Sequence, residues 1–69
     1  MKFYITFGQA HAHVFNGKTL DKDTVVEIEA DDKGDANAWA VATFGAKYSV
    51  VYPDLPDMRF FPKGIVKGT

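Results

Sequence analysis

The residues best suited to chemistry are two histidines, His11 and His13, separated by one residue. On an extended chain residues two apart share a face, so both imidazoles can turn toward one metal ion. Asp21, Asp23 and Glu27 are the carboxylates that composition offers to complete such a site. A spacing this short is weak evidence for a metal, and two surface histidines beside a turn explain it more simply. Neutral imidazoles near carboxylates also gain charge as the pH falls, which makes the pair a candidate pH-sensitive contact.

Carboxylates are the second chemical resource. Asp21, Asp23, Glu27, Glu29, Asp31, Asp32 and Asp35 crowd residues 21–35 against only Lys22 and Lys33, although the net charge of the chain is −1. An EF-hand beginning at Asp31 would need glycine at its sixth position and glutamate at its twelfth. Ala36 and Ala42 stand there, so the calcium pattern fails. Gly17-Lys18-Thr19 lacks the upstream glycine of a phosphate-binding loop. The only serine is Ser49 and there is no cysteine, so no nucleophile has a partner at readable spacing. Tyr4, Tyr48 and Tyr52 with Lys2 and Lys47 resemble a stacking surface for single strands, but Glu27 and Glu29 on the same face would repel phosphates. These residues imply no catalytic group, no cofactor, no resident metal and no direct contact with nucleic acid. The acidic run reads first as a solvated strand face plus a helix start. Its sharper reading is a surface for a basic partner, a mimic of nucleic acid built on Asp21, Asp23, Glu27, Glu29, Asp31 and Asp32.

The elements that must position these residues follow from periodicity. Residues 2–7 alternate Phe3, Ile5 and Phe7 with Lys2, Tyr4 and Thr6, the period of a half-buried strand. Val26, Ile28 and Ala30 alternate with Glu27 and Glu29 in a second strand over residues 24–30. Asp31 to Asp35 supply capping carboxylates, and a helix is expected over residues 36–44 with Gly45 as its left-handed stop. Ala36, Ala40 and Phe44 form its inward stripe. Residues 47–52 read as a strand ended by Pro53, and residues 58–66 as a short extended addition with an edge strand near Ile65. Asn16-Gly17 signals a hairpin, and Gly68-Thr69 a frayed end. The expected fold is α+β. A small antiparallel or mixed sheet of three or four strands carries one helix on one face, in a single domain spanning residues 1–69. The expected core is Phe3, Ile5, Phe7, Val26, Ile28, Ala36, Ala40, Phe44 and Val50.

That plan leaves apolar residues over. Trp39, Ala38 and Ala42 fall outside the inward stripe, and Met58, Phe60 and Phe61 lie near the end of the chain. Large aromatics that one helix on one sheet cannot hide mark an interface, with a second copy or with another protein. With 69 residues and no disulfide, the chain must draw its stability from its aromatic core or from oligomerisation. No apolar run reaches membrane-span length and no secretory leader opens the sequence, so a soluble, intracellular protein without membrane attachment is expected.

Nearly the whole length also resembles a group of small proteins encoded by bacteriophages of actinobacteria. The residues that carry the resemblance are Ile5-Thr6-Phe7-Gly8-Gln9 with His11 and His13, Asn16-Gly17, Leu20-Asp21-Lys22-Asp23 and Val26 to Asp32, then Phe44-Gly45, Tyr52-Pro53, Pro56-Asp57-Met58 and Phe60 to Val66. It implies a phage product acting in the cytoplasm of the infected bacterium. It brings no catalytic residue with it, and it favours a protein that binds and modulates a host or phage protein.

Overall fold

Alternation at the N-terminus makes the strand that the sheet is built around. In the computed structural model, which describes residues 1–9, 12–15, 17–45 and 48–69, Lys2–Thr6 forms β1. Thr24–Glu29 forms β4, antiparallel to β1, with Phe3 opposite Ile28 and Ile5 opposite Val26. Val50–Tyr52 forms β5, also antiparallel to β1, with Ile5 opposite Val51. Gly64–Lys67 forms β6, parallel to β4, with Val26 opposite Val66. The sheet order is β5-β1-β4-β6. Because β4 and β5 both run against β1, they are parallel to each other with β1 between them. The connection from β4 through the helix to β5 therefore crosses over β1 as a split β-α-β unit.

The helix α1 spans Lys33–Phe44, three residues longer at its start than the alanine run suggests. Asp32 is the cap, its carboxylate accepting the Asp35 N–H at 2.8 Å. Gly45 ends the helix with φ at 65° and donates its N–H to the Val41 carbonyl, as a left-handed stop should. Ala36, Ala40 and Phe44 are its buried residues. They meet Phe3, Ile5, Phe7, Val26 and Ile28 in one core. The α+β expectation thus holds, with one helix on a four-stranded mixed sheet and a separate two-stranded hairpin among the described residues.

That hairpin is β2 (His13–Phe15) against β3 (Lys18–Leu20), with Phe15 opposite Lys18 and Gly17 at φ 77°. It closes over the end of the helix. Phe15 lies 6.2 Å from the Trp39 ring and 5.9 Å from Phe44, centre to centre. Leu20, which sits in what reads as a polar connection, is wholly buried.

Several expectations are corrected. Val50 is 39% exposed and Val51 is the core residue of β5 at 3%. The two valines are adjacent, so either fits the pattern, and the pairing with Ile5 turns Val51 inward. Residues Met58–Phe60 form a 3-10 turn rather than an extended piece. Asp57 accepts from the Arg59 N–H at 3.0 Å and caps the turn. The end of the chain is tied down rather than frayed. Gly68 donates its N–H to the Glu27 carbonyl at 2.9 Å, and the Thr69 hydroxyl accepts the Glu29 N–H at 2.9 Å. No helix among the described residues is long and apolar enough to cross a membrane.

Candidate functional site

The sheet has two faces that the chain treats differently. Toward the helix lie Phe3, Ile5, Val26, Ile28, Val51 and Val66. On the second face the in-register rows run Val50, Thr6, Val25, Ile65 and Tyr52, Tyr4, Glu27, Lys67. Among the described residues no α-helix covers this side. The C-terminal arm crosses it instead, bringing Phe60 and Phe61 to the same groove as Thr6 and Tyr52. The groove encloses about 420 Å³, and Gln9, Lys22, Asp23 and Ser49 add polar atoms to its wall. Phe60 is 71% exposed, while Phe61 and Met58 are half-buried.

The ring of Phe60 is presented by a well-fastened turn. Asp57 takes the Arg59 guanidinium in a two-oxygen clasp, with Nε at 3.1 Å from each oxygen and one terminal nitrogen at 2.6 Å from Oδ2. That clasp holds the Asp57 carboxyl below its ordinary pKa and raises Arg59. The arm is anchored on its far side by Lys63. Its ammonium lies 2.7 Å from Asp21 Oδ2, and its backbone N–H donates to the Asp23 carbonyl at 3.0 Å. Asp21 also accepts from the Asp23 N–H at 3.0 Å and the Thr24 hydroxyl at 3.2 Å, which shapes the β3–β4 turn. The hydrogen bond from Lys63, followed by that from Asp23, lowers the Asp21 pKa, and the same contact with Asp21 raises Lys63.

The acidic run is thereby largely matched with cations. Asp21 meets Lys63, Asp23 meets Lys22 at 3.2 Å, and Glu29 meets the N-terminal ammonium at 3.2 Å. Glu27 lies between Lys2 at 3.6 Å and Lys67 at 3.5 Å. Asp32 caps the helix, and Asp31 and Asp35 are exposed at the same end.

Of the histidine pair, His11 lies outside the described residues. His13 is half-buried, with its ring 5.8 Å from Phe7 and 5.1 Å from Phe44. The imidazole is thus part of the aromatic cluster under the hairpin. Among the described residues no three His, Cys, Asp or Glu side chains converge as metal ligands. Lys47 is also outside the described residues, and Tyr48 is half-buried against the core rather than displayed on the second face.

The six residues expected to form one interface separate into two places. Trp39 is half-buried between the hairpin, the helix and the chain terminus, 5.7 Å from Phe44. A methyl group at Gly68 would stand 2.9 Å from the Trp39 ring and 2.8 Å from Val26 and Ile28, so only glycine lets the terminus seat there. Trp39 therefore belongs to the rim of the core. Ala38 and Ala42 remain exposed on the outer helix surface. Met58, Phe60 and Phe61 stand on the opposite side of the sheet. The sequence places Tyr4 and Tyr52 on the open face beside Glu27, and the register bears that out, but it does not show Phe60 and Phe61 arriving at the same groove. No protein-family model, curated protein or solved structure matches the chain.

Proposed function

We propose that this chain is a non-enzymatic binding protein that attaches to and modulates another protein through the second face of its sheet. One observation carries the reading. Phe60 is 71% exposed beside a groove of about 420 Å³, on a turn that Asp57 and Lys63 fasten from both ends. A large aromatic held out on a rigid support loses little conformational freedom when a partner covers it, which is the profile of a binding anchor. Tyr52 and Leu55 are exposed nearby in sequence and extend the apolar character of this region. The polar wall of the groove supplies the hydrogen-bonding rim that such contacts use.

The resemblance to small actinobacteriophage proteins supports a host or phage protein as the partner, met in the cytoplasm of the infected bacterium. The rival reading, an acidic surface for a basic partner, has less support. Asp21, Asp23, Glu27 and Glu29 already face cations, which leaves Asp31, Asp32 and Asp35 to carry it.

The test is retention of proteins from an actinobacterial lysate on the immobilised chain. Wild type retains a specific protein, and Phe60→Ser loses it while Ala38→Ser keeps it. Equal retention by wild type and Phe60→Ser would remove the reading.

A further inference from the structure

The two edges of the sheet are protected unequally. β6 is bracketed by Lys63 and Lys67, and charged side chains on an edge strand discourage further pairing. β5 is short and stops at Pro53, but it has no charged guard. Tyr48 to Pro53 carries no charge, and among the described residues the outer edge of β5 has no neighbour in the sheet order. Exposed apolar groups gather around that edge. Val50 and Tyr52 are each 39% exposed on the second face, and Val41 is exposed beside the helix end. Two depressions flank the edge, the groove already described and another of about 380 Å³ between Val41, Gly45 and Tyr48. Ser49, immediately before β5, lines both.

We propose that β5 is a homodimerisation edge, pairing antiparallel with β5 of a second copy around a two-fold axis at Val51. The strand is complementary to its own copy. Opposed residues of paired strands must share a face, and the register centred on Val50–Tyr52 places Val51 opposite Val51 toward the helices. The same register sets Val50 opposite the Tyr52 of the second copy, twice. Aromatic against β-branched is a favourable cross-strand pair, and a neutral strand meets its own copy without repulsion. The two four-stranded sheets become one, with both helices on the same side. A chain of 69 residues gains the added burial that its size makes scarce.

This pairing does not depend on the binding role of Phe60, which lies outside β5. The experiment is sedimentation equilibrium of the full chain across a wide concentration range, with two double variants. Wild type is a dimer. V50K/Y52K sets lysine opposite lysine and loses the dimer, while V50E/Y52K sets glutamate opposite lysine and restores it, less so as salt is added. A monomeric wild type overturns the proposal. So does a V50K/Y52K dimer, and so does failure of V50E/Y52K to restore association. Should the variants not fold, amide exchange on the wild type decides. Protection of amides within residues 50–52 must rise with protein concentration, and no dependence overturns the pairing. Phe60→Ser leaves the dimer mass unchanged, which separates this result from loss of a foreign partner.

Discussion

The two faces of the sheet show two ways of finishing a small domain. On the helix face the chain uses small residues for closeness and aromatics for volume. Ala36 and Ala40 bring α1 down onto the strands, and Phe44 sits among Phe7, His13, Phe15 and Trp39. On the second face an arm clipped by ion pairs does the covering in place of a helix. The first solution is continuous and apolar. The second is local and polar at its fixing points, and it leaves Phe60 and Tyr52 in solvent. The difference teaches where core volume lies and where aromatic surface is left over. Removing volume from the first face should unfold the protein, whereas changing the exposed Phe60 should not.

The sharpest way to break that contrast is Phe44→Ala. Four rings lose their common neighbour, and the cost of a phenylalanine truncation in a core is about 3–5 kcal/mol. A domain of this size has only roughly 3–10 kcal/mol in total, so the urea midpoint should fall by about a third or more of its wild-type value. Phe60→Ser, by contrast, should leave the stability within about 0.5 kcal/mol of wild type. If the two variants were equally destabilised, the faces would not differ as described.

A smaller effect is expected from Gly68→Ala. Its added methyl meets Val26, Ile28 and Trp39 at 2.8–2.9 Å, and overpacking of this kind costs about 1–3 kcal/mol. Trp39 fluorescence should report the change, because the terminus packs on that ring. An unaltered spectrum with unaltered stability would show that the terminus does not contribute to the helix face.

The smallest effect is expected from Lys63→Met, which frees the arm from Asp21. Asp21 has a folded pKa below its ordinary 3.8, so its share of stability is present above that value and fades as pH falls through and below it. Lys63 has a folded pKa above its ordinary 10.5, so its share is present below that value and fades as pH rises past it. The stability difference between wild type and Lys63→Met should therefore be level between these limits and shrink beyond either one. A difference that persists unchanged into strong acid would mean that the ion pair does not hold the arm.

The helix face is legible in the sequence because its signals are local and periodic. Alternation places Phe3, Ile5 and Phe7 inward, and the four-residue spacing of Ala36, Ala40 and Phe44 chooses the buried stripe. The candidate surface is legible only in part. Phe60 stands out with Met58 and Phe61 as aromatic and apolar residues without a place in the core, but the groove that sets it beside Thr6, Ser49 and Tyr52 does not follow from the sequence. Trp39 falls with it among the leftover aromatics because a helical wheel cannot show Phe15 arriving from a hairpin more than twenty residues away in sequence. Leu20 is hidden for the same reason, a single apolar residue among polar ones that only the closing hairpin buries.

The sequence by itself determined the strands β1 and β4, the capped alanine helix with its glycine stop, and the chain reversal at Gly17. Each is signalled by a pattern among residues close in the chain, although β1 and β4 gain their hydrogen bonds only by pairing with each other. Tertiary structure decided which of Val50 and Val51 faces inward, the parallel addition of β6 and the seat of Gly68 against Trp39. It also decided the pairing of Asp21, Glu27 and Glu29 with cations distant in the chain, Asp21 with Lys63 above all. These rest on contacts between residues far apart in the chain, where local pattern is silent and the outcome depends on which groups the folded sheet brings within reach.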